Sequence, residues 1–231
     1  MRIWDISPGY LNRQSLLGEH RELHGLVSIM VNNKKGYSKH PETLRWIEYG
    51  WAINIRHKFL AAEMQLRGYT DRSPVETNAN RNKWPEIYID EPYEQFEILK
   101  KKYIDKDPGR IAFPKSAQDL WAQHKYSVMA RDYNLYKKMG SDINKSKKGI
   151  DTRDLFKKLT ELLRIVPEDK SIRNTLQHMW GYVSKFSSLT GKELYNMDQS
   201  TFLKEIQDLS KDNQEKYLLN STALSELMIW I

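Results

Sequence analysis

The chain has 231 residues, 39% hydrophobic and 29% charged, with a formal net charge of +7 and no cysteine. That composition fits one or two folded domains with buried cores and excludes disordered chains, disulfide frameworks, thiolate metal sites and cysteine nucleophiles. No apolar run nears the roughly 18 residues of a membrane span, and Met1-Arg2-Ile3-Trp4-Asp5 lacks the build of a secretory signal, so a cytoplasmic protein is expected.

In chain order, Ser7-Pro8-Gly9 reads as a turn, and a helix begins after Asn12 or Ser15, either of which can cap it. Leu16, Leu23, Leu26, Val27 and Met30 share one face of that helix. After a loop at Asn32-Asn33-Lys34-Lys35-Gly36, a second long helix is predicted from Pro41-Glu42 to Arg67-Gly68. It carries Leu44, Ile47, Trp51, Ile55 and Leu60 inward. Periodicity fades from Thr70 to about Lys115, where five prolines and an Asn-rich run mark an irregular segment with one helix across Tyr93–Tyr103. Three further helical stripes follow: Leu155 to Val166, Ile172 to Val183, and Phe202 to Leu209. The expectation is an all-α chain of two helical modules, 1–110 and 111–231, joined by the Pro/Asn-rich segment.

Basic residues suit a polyanionic partner because they release counterions from phosphates. Arg2, Arg13, Arg21, Lys34, Lys35, Lys39, Arg45, Arg56 and Lys58 face only five acids in the first sixty residues. On the first helix Glu22 falls at the border of the apolar face, with Gly18 and Gly25 beside it at i−4 and i+3. Each glycine costs about 1 kcal/mol of helix stability against alanine. Two readings stay open: the glycines make a hollow around the carboxylate, or they let another helix pack closely. His20 and His24, at i and i+4, can share a metal. Glu22 points about 160° away from their bisector and cannot complete such a site, so no metal is expected. An exposed or hydrogen-bonded face, or a phosphate contact, is the alternative for these histidines.

The opening Met1-Arg2-Ile3 followed by Leu16-Leu17-Gly18-Glu19-His20-Arg21-Glu22-Leu23 resembles the pyrimidine-dimer DNA glycosylase/AP lyase family, whose type is a phage endonuclease V. Lys35-Gly36-Tyr37-Ser38-Lys39-His40-Pro41-Glu42-Thr43-Leu44-Arg45-Trp46 is similar to its bacterial branch, and Glu63-Met64-Gln65-Leu66-Arg67-Gly68-Tyr69 to a helix end found across it. The resemblance covers about residues 1–75. It implies a DNA repair enzyme acting on double-stranded DNA with damaged pyrimidines, without a cofactor. An N-terminal α-amine attacks the sugar, expels the base and forms an imine; a glutamate stabilises the sugar cation and assists the strand-nicking elimination. An α-amine suits this role, with an unperturbed pKa of about 7.7–8.0 against about 10.4 for lysine. Carried over, the amine falls on Met1, since Arg2 should prevent removal of the initiator methionine, and the glutamate on Glu22. Nucleic-acid contacts fall on Arg2, Arg21, Lys39 and Arg45. The chain departs from the type at Ser15, where a histidine is expected, and at Gly25, where a second DNA-contacting arginine is. The type's aromatic-basic C-terminal tail has no counterpart.

From about residue 113 to 225 the chain resembles the YbgA-like helical domain. The carriers are Leu120-Trp121-Ala122-Gln123-His124-Lys125-Tyr126-Ser127-Val128-Met129-Ala130, Tyr136-Lys137-Lys138-Met139-Gly140, and Asn174-Thr175-Leu176-Gln177-His178-Met179-Trp180-Gly181-Tyr182. This implies a nucleic-acid accessory role. His124-Lys125-Tyr126 and Gln177-His178 read either as core polar groups or as a basic-aromatic surface. The run Lys145-Ser146-Lys147-Lys148-Gly149 reads as a solvated loop able to touch phosphates. A non-catalytic or RNA-directed nucleic-acid binding protein is the rival reading of the whole chain.

Overall fold

The computed structural model describes residues 1–145 and 151–231, and the described residues form helices and no strand. They divide into two compact units, Met1–Gly109 and Arg110–Ile231. No helix among them is long and apolar enough to cross a membrane.

In the first unit, α1 (Arg13–Asn32) starts at Asn12, whose side chain accepts from the Ser15 amide, and ends where Asn33 turns left-handed. Leu16, Leu23 and Leu26 are buried as expected, and α1 packs on α3 (Gly50–Leu66). The predicted second helix is in fact two, α2 (Pro41–Trp46) and α3, broken at residues 47–49. The chain that returns alongside the break takes up its polar groups. Trp51 donates its amide to the Ala79 carbonyl, Thr77 donates its hydroxyl to the Gly50 carbonyl, and Asn80 donates to the Glu48 carbonyl. A Cβ on Gly50 would stand 2.9 Å from the Ala79 nitrogen, so this approach requires glycine. The break resets the helical phase, leaving Leu44 60% exposed and Ile47 exposed while Trp46 takes the core position. The end of α3 follows expectation, with Gly68 at φ +83°.

The irregular segment after Gly68 belongs to this unit. Val75 is buried, and Trp84 meets Trp46 and Trp51 edge-on. It leads into α4 (Pro92–Lys102), which opens with a capping box between Glu91 and Glu94 and buries Phe96 and Leu99.

In the second unit, α5 (Ala117–Met129) packs against α6 (Tyr133–Lys145), α7 (Thr152–Leu162) and α8 (Asp169–Trp180). After the short α9 (Gly191–Asn196), α10 (Gln199–Asp212) packs on α8. Two short helices, α11 (Lys216–Leu219) and α12 (Ala223–Glu226), close the unit. The expected stripes are buried apart from Val166, which is exposed, and Leu162, Trp180 and Leu209, which are half-buried. Arg131 locks the core: it is paired with both oxygens of Glu226 at 3.0 Å and donates to the carbonyls of Ser127, Leu163 and Ile165. Of the run 145–149, only Lys145 lies within the described residues.

Candidate active site

The N-terminal arm is held through its backbone by helix side chains. Arg2 donates its amide to Glu22, Ile3 to Glu42 at 3.3 Å, Trp4 to Glu19 at 3.1 Å and Asp5 to Gln95 at 2.9 Å. Arg56 closes the far end, donating to the Ile6 carbonyl at 2.7 Å while it forms two bonds of 2.7 and 2.8 Å with Glu19. Arg67, paired with Glu63, donates to the carbonyls of Pro8, Gly9 and Leu11 and fixes the turn before α1. Burial pushes the Glu19 and Glu42 carboxyls up, opposed by Arg56 and Arg45 respectively. The sequence reading missed Glu19, Glu42, Arg56 and Gln95, because their partners are backbone groups remote in the chain.

This grip delivers the Met1 nitrogen to 4.0 Å from Oε1 of Glu22, whose side chain is 42% exposed. Both line a cavity of about 520 Å³ with Gly25, Ile29, Lys34 and Tyr37. A Cβ on Gly18 or Gly25 would meet nothing within 4 Å, so neither glycine serves close helix packing. Tyr37 is 68% exposed at the cavity, and neither it nor Lys34 was singled out as a site residue by sequence.

The expected nucleic-acid contacts are spread differently. Arg21 and Lys39 are exposed. Arg2 is held by Asp90 at 2.6 Å and lies over the Trp4 ring. Arg45, expected at the nucleic-acid face, is instead 6% exposed between Asp5 and Glu42, and we leave it out of that face.

A second cluster uses the other side of α1. His20 and His24 meet His57 of α3, with ring centroids 4.6 to 5.1 Å apart, and Asp71 joins them from the segment after α3. Burial pushes His57 down to about 4, helped by His20, His24 and Lys58 and opposed by Asp71. His24 is lowered by burial and by His20. Against a burial that raises it, Asp71 is held below the usual carboxylate range by the Ser73 amide and by His57 and His20.

Residues 1–77 match the family model described as pyrimidine dimer DNA glycosylase. The glycosylase-family match thus spans the arm, α1, α2 and α3, the elements that bring Met1 and Glu22 together. Residues 125–226 match a second model, described as a protein of unknown function (DUF1722). No curated protein and no solved structure matches the chain.

In the second unit, His124 is buried in the core, while Gln177 and His178 are exposed. The Lys125 ammonium lies 4.7 Å from the centroids of both Tyr126 and Tyr217, and Tyr217 stacks on Tyr182. Lys125, Trp121, Tyr136, Lys137, Gly140 and Tyr217 line a cavity of about 380 Å³.

Proposed function

We propose that the N-terminal unit is a DNA N-glycosylase and AP lyase acting on UV-dimerised pyrimidines in duplex DNA. The observation that carries this reading is the approach of the Met1 nitrogen to the Glu22 carboxylate at an open cavity, within the stretch that matches the glycosylase family. The neutral α-amine of Met1 attacks C1′ of the damaged nucleotide and the glycosidic bond breaks, its electron pair leaving with the base. Loss of the sugar ring oxygen from C1′ gives an imine. Glu22 stabilises the positive charge that develops on the sugar and takes part in the proton removal from C2′ that expels the 3′ phosphate. Exposed Arg21 and Lys39 supply phosphate contacts, Tyr37 offers a stacking face to an extruded base, and the open space at Gly25 leaves room for it. Asp90 holds the arm by the Arg2 side chain, and the Glu22 carboxylate holds it by accepting from the Arg2 amide.

For the second unit we propose a nucleic-acid accessory role, supported by the lysine–aromatic cavity around Lys125, Trp121 and Tyr136.

The test is a gel assay on UV-irradiated and on abasic duplexes with borohydride present or absent. Expected are nicked products without borohydride and a covalent protein–DNA adduct with it. Glu22→Gln should reduce nicking by about 100-fold or more, and chemical blocking of the Met1 amine should abolish adduct and nicking together. Intact-mass measurement identifies which residue carries the amine. Binding to either duplex with neither adduct nor nicking would overturn the catalytic reading and leave a non-catalytic nucleic-acid binder.

A further inference from the structure

The four-residue cluster on the far side of α1 has no part in the proposed imine chemistry. Its donor atoms, one from each of His20, His24, His57 and Asp71, all lie within 4.8 Å of one another. His20 Nε2 is 3.2 Å from one Asp71 oxygen and His57 Nε2 is 3.4 Å from the other. Tetrahedral coordination at zinc–ligand lengths of about 2.0–2.1 Å sets neighbouring ligand atoms about 3.4 Å apart. Each of those histidines already stands near that spacing from one of the two Asp71 oxygens, either of which can serve as the single ligand atom. The Nε2 atoms of all three histidines are buried; those of His20 and His57 face Asp71 oxygens, and His24 Nε2 has no hydrogen-bond partner among the described residues. A buried polar atom left unpaired costs on the order of 1–3 kcal/mol, and His24 Nε2 is such an atom in a group of three imidazoles and one carboxylate whose donor atoms converge.

We propose that His20, His24, His57 and Asp71 bind one divalent transition-metal ion, zinc in its donor preference, as a closed structural site. Three imidazole nitrogens and one carboxylate oxygen are a borderline donor set that suits zinc, and four protein ligands leave no position for a reacting water. The ion would pin α1 to α3 and to the Asp71 turn, where Ser73 donates its amide to Asp71. By helical spacing Glu22 faces away from the two histidines of α1. That geometry holds, and the missing donors come from His57, a helix away, and from Asp71 in an irregular stretch.

Full-length protein stripped with a chelator and titrated with zinc alone should take up one ion per chain and melt at a higher temperature. Cobalt(II) in its place should show the intense visible absorption of tetrahedral rather than octahedral coordination. His24→Ala and His57→Ala should weaken zinc binding by at least about 100-fold, more than is typical for loss of an outer-shell partner. Asp71→Asn preserves an acceptor for the Ser73 amide and so tests the ligand without removing the turn; it too should weaken zinc and displace the cobalt bands. Glu22→Gln should keep full zinc stoichiometry, which separates this site from the catalytic reading. Wild-type protein that takes up no stoichiometric zinc, or whose cobalt spectrum is octahedral and unchanged by Asp71→Asn, would overturn the proposal.

Discussion

Two glycines on one helix can be told apart by what surrounds them. Gly18 and Gly25 both face open space, but only Gly25 is among the residues lining the Met1–Glu22 cavity. Gly18→Ala should therefore stabilise the unit by up to about 1 kcal/mol through helix propensity and leave nicking unchanged, as thermal melts and the gel assay would show. Gly25→Leu should likewise not lower the melt, while suppressing nicking of dimer-containing DNA because its side chain enters the cavity. Glu19 answers to a different rule. Its carboxylate is buried on Arg56 and on the Trp4 amide, so Glu19→Gln strands a buried guanidinium and should cost about 3 kcal/mol or more in urea unfolding.

At the scale of elements, the break between α2 and α3 decides which side chains reach the core. Gly50→Ala drives a Cβ to 2.9 Å from the Ala79 nitrogen, and should lower stability by about 1–3 kcal/mol in the same unfolding measurement. Its sign is opposite to that of Gly18→Ala. The break also marks how far the sequence could be read. Local signals carried the start of α1 to Asn12 or Ser15, of which the structure uses Asn12, and the stop at Gly68, because caps and turn residues act on their immediate neighbours. The interruption at residues 47–49 left no such mark, since the groups that satisfy it arrive from Thr77, Ala79 and Asn80. Leu44 and Ile47 were consequently assigned inward on a phase that the break resets. The candidate site divides in the same way. Met1 and Glu22 were legible from family resemblance, whereas Glu42, Gln95 and Asp71 act across distances that periodicity does not encode.

For the molecule as a whole, acid and salt should report on the second unit. Burial, helped by Arg131, pushes His124 down to about 3. Its folded value thus lies below the unfolded value of about 6.5, so the unfolded state binds more protons between those limits. The stability contributed by neutral His124 is complete above about pH 6.5 and is lost as pH falls toward 3, by at most about 1.4 kcal/mol per pH unit for one proton. Amide exchange along α5, followed against pH, should show this decline, and His124→Gln should flatten it. If the cavity around Lys125 and Lys137 holds nucleic acid, replacing both lysines with alanine should reduce the slope of log affinity against log salt by about 2 in a binding titration. An unchanged slope would remove that surface from the interface.

The grip on the N-terminal arm has a genetic corollary. Glu22, Glu42, Glu19 and Gln95 take hold of amide groups at positions 2 to 5, which every amino acid except proline supplies. On the proposed mechanism the attacking atom is likewise a main-chain group, so the side chain at position 1 does not supply the nucleophile. The side-chain burden of this chemistry falls on the holders, scattered over three helices, and inactivating amino-acid substitutions should be found there.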